Sequence, residues 1–217
     1  MRNYVNTTTL QVVSLDTIRA AFPNMSIPEG ADLQDLGYAP LLATAMPVAP
    51  AGFKFVAGTP AFSDGAWRAT WDQVELSPED LAAARAMCWA RIKVERDRRK
   101  GLGVKVGQHW FHSDPDSRIQ QLGITSETLV LPPGVLWKTL TFSDPPVFVE
   151  MTRDLAIQIA QATVASDTAI FGAAELHRIA MQASPDPAAY DFTAGWPASI
   201  EDEAHEAGIQ FDARSLL

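Results

Sequence analysis

Residues 89–123 read WARIKVERDRRKGLGVKVGQHWFHSDPDSRIQQLG, and the reading of this stretch decides the fold. The first third is the end of a charged helix. Gly101 stands where a left-handed C′ residue would close that helix. Val104-Lys105-Val106, then Gly107-Gln108, then His109-Trp110-Phe111-His112 predicts a β-hairpin turning on glycine. Asp114-Pro115-Asp116-Ser117 then opens a short helix, RIQQLG, with Ser113, Asp114 and Asp116 all capable of capping it. Everything upstream reads as an arm and everything downstream as a helix returning to pack.

The chain upstream of this stretch is marked by an N-cap signal, Ser77-Pro78-Glu79-Asp80. Serine is a preferred cap, proline suits the first helical position, and the two acids meet the positive end of the helix dipole. The helix it opens buries a stripe of Leu81, Cys88 and Ile92 beside Ala84 and Arg85. Before it, AWRATWDQVEL (66–76) predicts a single strand behind a Ser63-Asp64-Gly65 turn, with Trp67, Ala69 and Trp71 on one face. Residues 38–60 hold recurrent prolines, which confine them to edge strands or extended segments. Residues 1–13 suit an edge strand or an extended arm. Ser14 caps a short helix, LDTIRAAF, that Pro23 ends, and Asp32–Leu36 adds one helical turn closed by Gly37.

Downstream, VLWKTL and VFVEM are two short strands separated by SDPP. Thr152 caps a long helix with a stripe of Leu155, Ile159, Ala162, Ile170, Ala173, Leu176 and Ala180, ended by Pro185. Its surface carries few charges and many small residues, which admits a second helix, from this chain or another subunit. His177 reads as a packing histidine. Tyr190, Phe192 and Trp196 anchor a turn, and SIEDEAHEAG reads as a solvated acidic helix. The expected organisation is a β-rich, Pro-rich docking arm over 1–76, an α+β module over 77–197 and an acidic tail over 198–217. The fold class is α+β: two packed helices, one long, with short antiparallel hairpins.

The 217 residues carry a net charge of −9, which argues against nucleic acid or an anionic membrane as a main partner. Arg91, Lys93, Arg96, Arg98, Arg99 and Lys100 form one basic cluster, read as a solvated helix C-terminus. A single cysteine, Cys88, excludes an internal disulfide and a cysteine-rich zinc site. The N-terminus lacks the apolar core of a signal peptide, and no apolar run approaches a membrane span. His109, His112, Asp114 and Asp116 superficially suggest a metal cluster. Residues three apart on a strand point to opposite faces, however, so they read as hairpin histidines and a cap turn. No nucleotide-binding, hydrolase or metalloprotease motif occurs. The expectation is therefore no catalytic residue, no metal and no cofactor. The candidate interaction surface is Trp67, Trp71, Trp110, Arg118, Trp137 and Trp196.

The run ERDRR…GVKVGQHWFHSDPDSRIQQLG, then WKTL, VEMT and DPAAYDFTAGWP, resembles a family of bacteriophage tail proteins that share a C-terminal domain of unknown function. DGAWRATWDQVELSPEDLAA resembles the middle of the same proteins, and similar wording occurs in tail-fibre assembly proteins. The resemblance spans roughly Phe62 to Trp196. It implies a structural part of a phage tail fibre, tip or baseplate, with assembly and host attachment as its work, or alternatively an assembly chaperone absent from the virion. It further implies other tail proteins as partners, a homo-oligomer (a trimer by analogy), a host-surface receptor, and a virion location after synthesis in the bacterial cytoplasm.

Overall fold

The computed structural model describes residues 3–142, 145–209 and 211. Met1 and Arg2 of the expected arm, Ser143 and Asp144 of the SDPP turn, and residues 210 and 212–217 of the acidic tail lie outside the described residues. The chain is mixed α+β and divides into two compact units, Met1–Asp80 and Leu81–Leu217.

The first unit is built on strands. β1 (Asn3–Asn6), β2 (Val12–Ser14), β3 (Tyr38–Leu42), β4 (Phe53–Ala57), β5 (Ala61–Ser63), β6 (Ala66–Arg68) and β7 (Trp71–Glu75) alternate with one helix, α1 (Leu15–Ala21). A five-stranded sheet runs β2-β1-β3-β6-β5, and β4 pairs separately with β7. β1 is therefore not an edge: it is antiparallel to β2 and to β3. Pro40 sits in β3, also an interior strand. It is tolerated because the parallel ladder to β6 starts only at Leu41, beyond the residue that lacks an N–H. Asn6 closes the β1–β2 turn by accepting from the amides of Thr8 and Thr9. Ser14 caps α1 as its sequence predicts, and Gly37 takes the left-handed conformation after the 3-10 turn Gln34–Leu36. The core of this unit is Tyr4, Leu15, Ile18, Ile27 and Leu33.

The expected single strand over 66–76 is broken at Ala69-Thr70. β6 belongs to the five-stranded sheet and β7 to the β4 ribbon. At the break the Ala69 amide bonds Leu42 O, and the Thr70 carbonyl accepts from Gly58. The chain thus exchanges one set of backbone partners for another between the two tryptophans, and the two-residue period that put Trp67, Ala69 and Trp71 on one face does not carry across.

α2 (Pro78–Lys100) leads into the second unit, followed by β8 (Val104–Val106), β9 (His109–Phe111), α3 (Pro115–Thr125), β10 (Leu136–Lys138), β11 (Phe148–Glu150), α4 (Arg153–Ala183) and α5 (Ile200–Glu206). β8 and β9 form the expected antiparallel hairpin. Gly107 has φ +60°, the conformation that the first residue of a two-residue II′ turn demands. β10 and β11 form a second hairpin. Leu140 bridges to Trp110, tying the two hairpins together. Of the three capping candidates Asp114 caps α3, accepting from Ser117 N, with Pro115 at the first helical position.

The end of α2 differs from expectation. Gly101 and Leu102 bond back to the carbonyls of Arg98 and Arg99, three residues earlier, as a tightened last turn does. The positive φ falls instead on Gly103, at +99°. A Cβ there would come within 2.5 Å of Leu140 and 2.9 Å of the Phe111 carbonyl, so the site needs glycine both for its dihedral and for the hairpin lying against it.

Three clusters fill the second unit. Val104, Phe111, Ile124, Met151, Ala156 and Ile159 join the hairpins to the start of α4. Cys88 and Ile92 of α2 meet Ala174 and Met181 of α4. Trp110, Leu140 and Ile200 form the third. The α4 stripe is as read through Ala173, but Leu176 and Ala180 face outward while Ala174 and Met181 are buried. With 3.6 residues per turn, the inward positions beyond Ala173 are 174, 177 and 181. His177 occupies one of them, so a hydropathy reading passed over it for Leu176.

Candidate interaction surfaces

The basic cluster at the end of α2 stays partly solvated, with Arg91, Lys93 and Arg98 exposed, but its side chains are also engaged within the fold. Arg98 bonds Glu95 and, at 2.7 Å, Glu201. Arg99 bonds Glu95, reaches the Pro197 carbonyl at 3.3 Å and lies 5.5 Å from the Trp196 ring centroid. Arg96 pairs with Asp97 and covers Phe171 at 4.7 Å. Lys100 sits 5.2 Å from the same ring and 3.8 Å from Asp167. Arg91 lies over Phe192 and Lys93 over Trp89. Hydrogen bonds from Arg98, then Arg99, hold the Glu95 carboxyl below the ordinary glutamate range.

The acidic C-terminal segment supplies the opposite charges. α5 is docked by one face, with Ile200 and Ala204 fully buried, while His205 and Glu206 stay exposed. Ser199 and Asp202 cap it reciprocally. Glu203 receives Lys105 and, at 2.9 Å, the indole N–H of Trp110. These two bonds, Lys105 first, depress its carboxyl pKa. Glu201, Asp202 and Glu203 thus face Arg98, Arg99 and Lys105 in turn, as a docked strap.

The six candidate surface residues are divided between the two units. Trp67 and Trp71 belong to the first unit and the other four to the second. Trp67 makes an edge contact with Phe62 at 5.6 Å, and Phe62 itself is exposed. Trp71 donates its indole N–H to Thr44 Oγ1 at 3.1 Å. It lines a half-open cleft of about 370 Å³ with Leu41, Thr44, Gly58 and Pro60. Trp110 is buried between Leu140 and Ile200, and Trp137 packs on the hairpin core. Trp196 donates to the Phe192 carbonyl at 2.7 Å and tilts over His177 at 5.0 Å. His177 Nδ1 lies 3.0 Å from the Tyr190 hydroxyl, so the 190–196 turn closes an aromatic cap over α2 and α4 around this histidine.

Arg118 is a clasp between three elements. It donates to the carbonyls of Ser113 and Lys100 and grips Asp167 of α4 at 2.8 and 3.1 Å. Ser113, itself buried, accepts from Gly103 N and donates to Lys100 O. Sequence reasoning marked Arg118, read Ser113 only as a possible helix cap and missed Asp167. A lone aspartate in a helix and a serine before a turn carry no local signal for contacts 49 and 13 residues away.

The outward face of α4 is poor in charge, its exposed polar positions between Ile157 and Gly172 being Gln158, Gln161 and Thr168. On α4 every exposed position from Ile157 to Gly172 is uncharged. Beside α3 this face opens into two shallow grooves. One, of about 530 Å³, is lined by Thr125, Ile157, Ala160, Gln161, Val164 and Ala165. The other, of about 210 Å³, is lined by Leu122, Thr163 and Val164 together with Gln121 and the Arg118–Asp167 pair.

His112 lies 3.9 Å from Asp114, and burial keeps its imidazole pKa low. Among the described residues no group of three His, Cys, Asp or Glu side chains could hold a metal ion. No helix there is long and apolar enough to cross a membrane.

Residues 82–194, just over half of the chain, match the family described as a domain of unknown function, DUF4376. The chain belongs to that family. No curated protein and no solved structure matches it.

Proposed function

We propose that this chain is a structural component of a bacteriophage tail, in the fibre, tip or baseplate, working through surfaces that hold neighbouring tail proteins. The observation that carries this reading is the uncharged outward face of α4 over Ile157–Gly172. A solvent-facing helix surface in a self-sufficient protein is normally polar. The use of the titratable groups supports it too. Asp80, Asp114 and Asp202 are cap residues, and Glu95, Asp167, Glu201 and Glu203 bind named cations of the fold. The resemblance of HWFHSDPDSRIQ and its flanks to tail proteins supplies the biological setting.

The test is quantitative mass spectrometry of virions purified from the genome that encodes the chain. Copies in fixed ratio to a known tail protein are the expected result. Absence from the particle, with the chain present in the infected cell, would replace the tail component by an assembly chaperone that uses the same face transiently.

A further inference from the structure

We infer that the outward face of α4 is a docking surface for a second copy of this chain, packed antiparallel about a two-fold axis near Thr168. The inference stands apart from the phage assignment and uses only the shape of the helix. α4 is 31 residues long, about 46 Å. Its outward side chains Ile157, Val164, Phe171, Leu176 and Ile179 are 38, 68, 42, 69 and 57% exposed. At ordinary side-chain sizes this leaves roughly 500 Å² of apolar surface on one helix, against about 800 Å² per partner in a standard interface. The small residues between them and the exposed Leu122 of α3 make up most of the difference.

A second copy fits because the face complements itself. In an antiparallel pair, residues whose numbers sum to about 336 lie opposite each other, the sum being twice the central position. Val164 then meets Phe171, Ala165 meets Gly172, and Ile157 meets Ile179. Bulk packs along one side and the small pair allows close approach along the other. Glu175, exposed on this face and ion-paired with Arg178 at 2.7 Å, falls opposite Gln161, whose amide can donate to its free oxygen. Two-fold symmetry makes the contact closed, so it gives a dimer and not a fibre.

The experiment uses the full chain. Sedimentation equilibrium of the wild type at micromolar concentration is expected to give twice the chain mass, and Val164→Glu to weaken association about 100-fold, since the new carboxylate is buried without a partner. Its circular dichroism and melting temperature are expected to stay those of the wild type at the same subunit state, because Val164 faces outward. Orientation is read by cysteine crosslinking. Gln161→Cys with Glu175→Cys is expected to form intermolecular disulfides, whereas Gln161→Cys alone does not, its mate lying roughly 21 Å away along the axis. A wild type that is monomeric, a threefold mass, a dimer indifferent to Val164→Glu, or efficient crosslinking by Gln161→Cys alone would each overturn the proposal. Absence of the chain from virions would remove the phage reading and leave the dimer standing.

Discussion

Ser77 and Asp80 exchange hydrogen bonds across the first turn of α2: the Asp80 amide donates to Ser77 Oγ at 3.1 Å and the Ser77 amide to Asp80 Oδ2 at 3.0 Å. Lys54 bonds the same carboxylate and is the first cause of its lowered pKa. Ser77→Ala removes one acceptor and should lower stability by about 1 kcal/mol, measured by denaturant unfolding. At the other end of the chain, Glu203 titrates below the ordinary glutamate value of 4.5 because Lys105 and Trp110 stabilise its charged form. A carboxylate depressed on folding contributes stability that is fully present above its unfolded pKa and is lost as the pH falls through the folded one. The melting temperature should therefore hold steady down to about pH 5 and drop below it, and Glu203→Gln should flatten that drop while lowering the plateau. Ser77 could be read from its neighbours, because a cap is a contact three residues long. Glu203 could not: its partners are 98 and 93 residues away, and its local setting is simply an acidic run.

At the scale of elements, α5 shows the same limit. Seven residues with three acids in the first turn describe a solvated helix by composition. The fold buries Ile200 and Ala204 because α5 lands on Trp110 and Leu140 with its acids facing Arg98, Arg99 and Lys105. Ile200→Ala should cost 2–5 kcal/mol, as a fully buried isoleucine does, and should raise the accessibility of Trp110 to a fluorescence quencher. An unchanged unfolding midpoint would mean that α5 is not docked in solution. Hairpin β8–β9 and the caps of α1, α3 and α4 were legible because glycine, proline and capping side chains act within a few residues. The break between β6 and β7 was not, because it is imposed by Leu42 and Gly58 taking different halves of one apparent strand.

For the whole molecule, the charges at the end of α2 and along α5 are paired within the fold and the exposed α4 positions from Ile157 to Gly172 are uncharged, so association through α4 should be driven by apolar burial. Raising sodium chloride from about 50 to 500 mM shortens the Debye length severalfold but should leave the dimer constant within about twofold. A steep weakening would point to a charge-driven contact elsewhere on the chain. The α+β class, the strand-rich N-terminal region, both hairpins and the two long helices follow from residue order, because period, turn chemistry and capping are short-range physics. The destinations of the charges do not. The basic end of α2 and the acidic segment near the C-terminus each read as solvated, and each is also bound to the other side of the fold, since only folding across about a hundred residues brings Arg98 to Glu201 and Lys105 to Glu203. With those charges paired to one another, the face of α4 that composition called merely poor in charge becomes the surface on which a second copy can close.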